Sequence, residues 1–431
     1  MPHILIAGGG VAGLTTALAL HAAGFERITV TEAARELRPV GAGLNIMPNA
    51  VRELDELGVL DALEPHAVRT RELRYYHCSG SLISVEQRGV RAGYHWPQLS
   101  VHRGALQRVL AAAVRERLGP SALLTAVRVT DADPLAADGL PRVRLDHRDG
   151  GRQGCASLAP DLLIGADGIR SAVRAALHPG EGDPPWNGQL IHRGVSRVPA
   201  DRSAAFMFIA GDDRRKAVVY PLTLPDAEGT VLVNWACVGP GTAEDGTAAH
   251  RGDWNRRVPP DAIARHFADW EFDGVRVGEI LAAAEAAYVY PMVDRDPLPH
   301  WSRGRTTLVG DAAHAMYPVG SNGATQSVVD GRALAHALAT HRDPVAALAA
   351  YEADRRPAMT ELQLANRRLG PEVVIRLAHE RAPAGFPDID AVVPPAERAG
   401  IAARYAATGA FDPASVNAGS PYGGPARGRA R

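Results

Sequence analysis

Residues 3–24 read HILIAGGGVAGLTTALALHAAG: a short apolar run, three glycines, and then a long helix-forming stretch. His3–Ala7 predicts a strand, Val11–Ala23 a helix, and Ile28–Thr31 a second strand, so the chain opens as β-α-β. Gly8-Gly9-Gly10-Val11-Ala12-Gly13 places G-x-G-x-x-G between the first strand and the helix. There Gly8 permits a tight turn, Gly10 lets backbone approach a pyrophosphate, and Gly13 allows the helix to pack closely on the strand. The helix N-terminus offers unpaired N–H groups to the anion. Glu32, ending the second strand, is spaced to accept hydrogen bonds from ribose hydroxyls. The segment predicts dinucleotide binding but does not distinguish FAD from NAD.

Two later segments make that choice. Asp161–Arg174 reads DLLIGADGIRSAVR, a strand, an Asp167-Gly168 turn and a helix. Thr307–Asp330 reads TLVGDAAHAMYPVGSNGATQSVVD, a strand ending in Gly310-Asp311, a Pro- and Gly-rich loop and another helix. A carboxylate at a strand's C-terminal end can take a ribityl or ribose hydroxyl at the switch point of a parallel sheet. The loop at Gly320–Ala324 leads into a helix N-terminus, which favours negative charge on a reduced flavin ring.

These three segments, in order, resemble the fingerprints of the single-component FAD-dependent aromatic hydroxylases related to p-hydroxybenzoate and salicylate hydroxylases. SVHRGALQ (100–107) and YEADRRP (351–357) extend the match from Pro2 to about Arg368. Within that family, LRPVGAGLNIMPNA, ELRYYHCSG, AAVRERLG and YPMVDRDPLPHW are similar to the branch of the methylphenazine-carboxylate monooxygenase of pyocyanin biosynthesis. The resemblance implies FAD held by Gly8, Gly10, Ala12, Gly13, Glu32, Gly43, Arg103, Val129, Asp311 and the Asn322-Gly323 loop. Asp167 would serve both the pyrophosphate region and the nicotinamide, a reading preferred over that of a turn residue capping the next helix. It further implies NADH or NADPH as reductant, O₂ as co-substrate, and hydroxylation of an aromatic small molecule through a flavin C4a-hydroperoxide. The flavin does this chemistry, so no catalytic side chain is required, and His314 in GDAAH is expected to pack the loop and not to act as a base.

The expected fold is α/β: a Rossmann-like FAD-binding domain interrupted by a β-sheet substrate domain, with C-terminal helices. FMFIA, AVVYPL and TVLVNWACV read as strands of that insertion. The boundaries predicted are 1–184 for the first part of the FAD domain and 185–290 for the substrate domain. The FAD domain is completed, with helices, over 291–370, followed by an extension over 371–431. Pro357 is expected to kink or end a helix, and the chain beyond about Thr408, with SPYGGPARGRAR, to be disordered. Substrate-lining candidates are His192, Met207, Tyr220, Trp235, Met292, Pro318 and Val319. His192 stands where the phenazine branch carries an aromatic residue, beside Arg193-Gly194.

Composition closes off other classes. The 431 residues carry a net charge of −1, which gives no reason to expect nucleic acid or an anionic membrane. Cys78, Cys155 and Cys237 form no C-x-x-C, and the sixteen histidines show no H-E-x-x-H, so neither disulfides nor a metal site is expected. No apolar run approaches the ~20 residues of a membrane helix, and no leader pattern opens the chain. A cytoplasmic monomer or homodimer is expected. The absence of a Gly-Trp pair argues against a flavin halogenase, and a single G-x-G-x-x-G against a two-Rossmann Baeyer–Villiger enzyme. A reductase or decarboxylating hydroxylase on the same fold, and a flavin-bound scaffold without turnover, remain open readings.

Overall fold

The run Ile4–Ala7 is apolar at every position, and a strand of that kind needs both faces covered. It receives that cover as the middle strand of a five-stranded parallel sheet, ordered Thr306–Leu308, Leu162–Gly165, Ile4–Ala7, Ile28–Glu32, Leu123–Thr125. The computed structural model describes residues 2–37, 42–149, 152–203, 205–241, 256–409 and 411–423. The first helix, Val11–Ala22, lies between this sheet and the helix Asn322–Thr340. Because the strands are parallel, Ala7, Glu32, Gly165 and Leu308 all end on one edge. The three fingerprints therefore converge from positions some 300 residues apart in the sequence.

The second sheet has eight strands, in the order Arg256–Val258, Ala284–Val293, Trp186–Pro199, Thr230–Pro240, Lys216–Pro221, Met207–Gly211, Glu72–His77, Leu82–Gln87. It is larger than the interval 185–290: Glu72–His77 and Leu82–Gln87 come from within the first part of the FAD domain. Met207–Gly211 pairs with Glu72–His77 in parallel; the other pairings are antiparallel. Alternation gives this sheet two faces. One carries Phe208, Val219, Trp235 and Cys237 under the helices Pro260–Ala264 and Val277–Ala282. The other carries Met207, Ile209, Tyr220 and Leu222, packed on the C-terminal helices Val373–Arg381 and Pro395–Thr408.

Two expectations about the C-terminal part are corrected. The helix Pro344–Arg367 runs without a break through Pro357; its length and its packing against the Asn322 helix offset the hydrogen bond that proline removes. The chain past Thr408 is also folded as far as it is described. Pro413–Asn417 is helical, and buried Arg52 donates to the carbonyls of Val416 and Gly419, each at 2.8 Å. Ser420 Oγ donates to Glu53 at 2.8 Å and Tyr422 Oη to Asp354 at 2.8 Å. The remaining tail, 424–431, lies outside the described residues. Among the described residues, no helix is long and apolar enough to cross a membrane.

Candidate flavin and substrate site

The glycine turn is built as its sequence requires. Gly8 has φ +107°, and a Cβ there would fall 2.3 Å from the Ala166 carbonyl oxygen and 2.9 Å from Asp167 Cα. A Cβ on Gly13 would fall 1.9 Å from the Gly8 oxygen, so neither position accepts a side chain. Gly10, by contrast, faces open space within 4 Å, at the start of a helix that has no side-chain cap. Uncapped N–H groups facing open space suit a pyrophosphate. Glu32 braces the same turn, accepting from Gly9 N at 3.0 Å and Ala34 N at 2.7 Å. Gln107, in the SVHRGALQ stretch, donates to the Gly9 carbonyl at 2.7 Å; the sequence reading passed over it.

The other two fingerprints meet this turn. Asp167 touches it through Gly8, but its carboxylate is spent on the helix Ala172–Leu177, accepting from Ser171 Oγ and from Ala172 N at 2.7 Å. Burial pushes the Asp167 carboxyl up, against the pull of those hydrogen bonds. Gly310 sits against the first helix, where a Cβ would be 2.7 Å from Ala12 Cβ. Beside it Asp311 is exposed, and among the described residues its carboxylate has no hydrogen-bond or ion-pair partner. A free carboxylate at a strand end on the switch-point edge fits a polyol chain.

His314, three residues on, is fully buried. Its Nε2 lies 2.5 Å from Asp330 Oδ2, and its ring packs on Trp301 at 5.4 Å. Asp330 also takes Arg355 Nε at 3.0 Å and Gly310 N at 3.0 Å. Burial pushes its carboxyl up, but His314, Arg355 and the Gly310 N–H outweigh that and hold it at about 2. His314 thus anchors the loop, as expected of a packing residue.

The loop into the Asn322 helix is held from below by a residue the sequence reading missed. Tyr405, in the helix Pro395–Thr408, receives a hydrogen bond from Asn322 Nδ2 at 2.9 Å, and its hydroxyl lies 2.7 Å from Asn366 Oδ1 and 3.2 Å from the Val319 carbonyl. Asn322 is buried; Gly323 faces open space within 4 Å. Val129 is buried in Val127–Asp133, a strand tied to the end of the Glu32 strand by Ala126 N donating to Ala34 O at 3.0 Å. Gly43 meets the substrate sheet: its N–H donates to Asn234 Oδ1 at 2.6 Å, and a Cβ would fall 2.8 Å from the Tyr220 ring. With its N–H already bound, Gly43, which opens the strand Gly43–Ile46 of a separate three-stranded sheet, acts as a contact to the substrate sheet.

The substrate candidates divide by face. Tyr220, Met207 and Met292 lie on the face turned toward Gly43, Met207 beneath the C-terminal helices and Met292 in a cluster with Ile191, Val238, Tyr290 and Tyr317. Trp235 lies on the opposite face, fully buried, its Nε1 donating to Ser196 Oγ at 3.0 Å. His192 pairs with Cys237 and Val289 and so shares that far face. Both are corrected as pocket residues: alternation marked them as strand positions but could not say which face was inward. Pro318 is exposed and Val319 buried on the loop.

The inward face holds one residue not put forward as a site, Arg193. Its Nε is buried with no hydrogen-bond partner among the described residues. Burial holds its guanidinium below its ordinary range, Tyr220 and Tyr290 oppose that shift, and nearby Arg103 adds to it. Arg103, exposed at the start of the helix Arg103–Leu118, is thereby brought beside the substrate sheet. The Arg193-Gly194 pair was visible in the sequence; its orientation was not.

Comparison with known proteins fits this construction. The family model described as an FAD binding domain matches residues 2–250 and 282–364. The chain is 43% identical over 367 residues, 84% of its length and 89% of the other's, to a phenazine 1,6-dicarboxylic acid hydroxylase of Lysobacter antibioticus. It is 34% identical over 386 residues, 86% of its length and 88% of the other's, to a 3-amino-4-hydroxybenzoate 2-monooxygenase of Streptomyces platensis. In fold it matches Klebsiella pneumoniae HpxO complexed with FAD and uric acid, at TM-score 0.72 and 23% identity, covering 96% of this chain and 98% of that one. The chain belongs to the FAD binding domain family. It is an FAD-dependent monooxygenase of the aromatic hydroxylase class.

Proposed function

We propose that the protein hydroxylates a carboxylate-bearing aromatic ring, of phenazine or comparable polycyclic type, using NADH or NADPH and O₂. When bound, the flavin supplies the redox chemistry. The chain's part is to bind and place. The uncapped Val11 helix and Gly10 would receive the pyrophosphate, Glu32 the adenosine ribose, Val129 the adenine, and Asp311 the ribityl chain. The N-terminus of the Asn322 helix, with Gly323, would face the ring system, and the Gly43–Tyr220 contact would fix the distance between ring and substrate sheet.

The observation that carries the substrate class is Arg193. Arg193 is half-buried, and its buried, unpaired Nε is an unsatisfied donor, which costs about 1–3 kcal/mol. A substrate carboxylate arriving on that face would satisfy it, with Tyr220 and Tyr290 flanking. The relatives' substrates support this reading: phenazine 1,6-dicarboxylic acid and 3-amino-4-hydroxybenzoate both carry carboxylates.

The test is substrate-stimulated oxidation of NADH and of NADPH across matched aromatic acids and their amides, with product mass measured. Acids should stimulate turnover and amides should not. Arg193→Met should raise KM for the acid by about 10–100-fold, the loss of a charge-assisted hydrogen bond, at unchanged flavin content. Equal stimulation by acid and amide would overturn the assignment of Arg193, and no stimulation by any aromatic would overturn the reading as a whole.

A further inference from the structure

Toward the Leu82–Gln87 edge of the large sheet, three segments meet that neither the flavin nor the substrate reading uses. His77 ends the strand Glu72–His77, and Cys78 follows it with its N–H bound to the Gly211 carbonyl at 2.9 Å. His379 lies in the last turn of the helix Val373–Arg381, 302 residues from His77. The ligand atoms of His77, Cys78 and His379 all fall within 4.8 Å of one another. His77 Nε2 is 2.9 Å from His379 Nδ1, and Cys78 Sγ is 3.8 Å from His77 Nε2.

We infer that His77, Cys78 and His379 form a binding site for a soft divalent cation of the Zn²⁺ type, which clips the C-terminal helices to the substrate sheet.

The spacing is near what such an ion demands. Zn–N and Zn–S bonds at tetrahedral angles put two nitrogens about 3.3 Å apart and sulfur and nitrogen about 3.6 Å apart. Small movements of two imidazoles reach that geometry. Of the outer nitrogens, His379 Nε2 lies 3.4 Å from Asp213 Oδ1, while His77 Nδ1 lies 2.7 Å from Ser79 Oγ and accepts from Ser79 N at 3.2 Å. At His379 the Asp213 carboxylate beside the far nitrogen favours the tautomer that presents Nδ1 to the ion. At His77 the ion would take the Nε2 lone pair, so that Nδ1 turns from accepting Ser79 N to donating to Ser79 Oγ. One thiolate and two imidazoles select zinc over magnesium or calcium. Cys78 and His379 are only half-buried, so solvent can supply the fourth ligand. Binding requires Cys78 to release its thiol proton to solvent, so affinity rises with pH. Sequence reading expected no metal site, because the only near neighbours in the chain are His77 and Cys78 and the third ligand is long-range.

The experiment uses the full, FAD-loaded chain, stripped with a chelator and titrated with Zn²⁺ alone by calorimetry. Co²⁺ is then substituted, because its tetrahedral ligand-field bands lie to the red of oxidised flavin. A single Zn²⁺ per chain, a tetrahedral Co²⁺ spectrum and a raised thermal midpoint are expected. Cys78→Ser and His379→Gln should each lower Zn²⁺ affinity by about 100-fold or more, and Asp213→Asn by about 10–100-fold. Wild-type protein that binds no Zn²⁺, or binds it no better than the Cys78→Ser/His379→Gln double variant, would show the pair to be a histidine–histidine hydrogen bond only. An octahedral Co²⁺ spectrum in the wild type overturns the site regardless of how the variants fold.

Discussion

Asn322 Nδ2 donates to Tyr405 Oη at 2.9 Å, joining the loop that opens the Asn322 helix to a helix from the C-terminal extension. The same hydroxyl reaches Asn366 and the Val319 carbonyl, so one oxygen fixes three points of the loop's support. Tyr405→Phe keeps the ring and removes these bonds. It should destabilise the protein by about 1–3 kcal/mol, the cost of leaving buried polar groups unmade, and release FAD faster. Thermal unfolding and the recovery of free-flavin fluorescence check it. A variant with wild-type values for both would mean the loop is held by backbone alone.

Glu32→Ala should weaken FAD retention by about 1.5–3 kcal/mol through lost charge-assisted hydrogen bonds. Because Glu32 also accepts from Gly9 N, part of that loss would come from a loosened turn. Glu32→Gln separates the contributions: it keeps an acceptor for Gly9 while weakening the bond to ribose. FAD affinity measured by equilibrium titration should rank wild type, Gln, Ala, and an unchanged affinity in the Ala variant would remove Glu32 from the site.

Asp311 has no protein partner among the described residues, so replacing it should leave thermal stability within about 0.5 kcal/mol. Asp311→Ala should nonetheless lower flavin occupancy and release more H₂O₂ per nicotinamide oxidised, since misplacement by about 1 Å can cost on the order of 100-fold in rate. Asp311→Asn isolates charge from shape. Full occupancy and coupling in Asp311→Ala would show that this fingerprint is structural here.

Acid stability should carry the mark of Asp330. Its carboxyl is held at about 2 in the folded chain against an ordinary 3.8. A depressed folded value contributes stability that is complete above pH about 4 and is lost as pH falls through 2. The shift corresponds to about 2 kcal/mol. Denaturant unfolding at a series of pH values should show this acid limb, and Asp330→Asn should flatten it. At neutral pH the same variant leaves Arg355 buried without its counter-charge, at a cost of about 3–5 kcal/mol. An unchanged acid limb would assign it to other carboxylates.

The parts of the fold that sequence made legible are those coded locally. The strand–glycine–helix turn at Ala7–Gly13, the Asp167-Gly168 turn and the Gly310-Asp311 strand end were each readable from short-range chemistry, and parallel pairing then had to gather them on one edge. What escaped depends on partners far along the chain. Trp235 and His192 were recognisable as strand residues, yet their face was decided by helices packed on it later. Tyr405 looked like any apolar position of an amphipathic helix. The segment around Pro413–Tyr422 was Gly- and Pro-rich, and what gives it somewhere to dock lies far off in the chain: buried Arg52 and Glu53, more than 360 residues earlier, together with Gly93, His95 and Asp354.

The parallel pairing of Met207–Gly211 with Glu72–His77 joins residues about 135 positions apart inside the sheet, at the second junction from its edge. During synthesis the hairpin Glu72–Gln87 is made long before its partner strand, and until then it presents a bare edge. The sheet therefore cannot be excised as a cassette. A fragment spanning 185–293 would lack two strands and the C-terminal helices that cover their face, and transplanting it between relatives to change substrate preference would break a joint that lies within the sheet itself. Exchange of the Glu72–Gln87 hairpin together with that interval is the smallest graft that keeps the sheet whole.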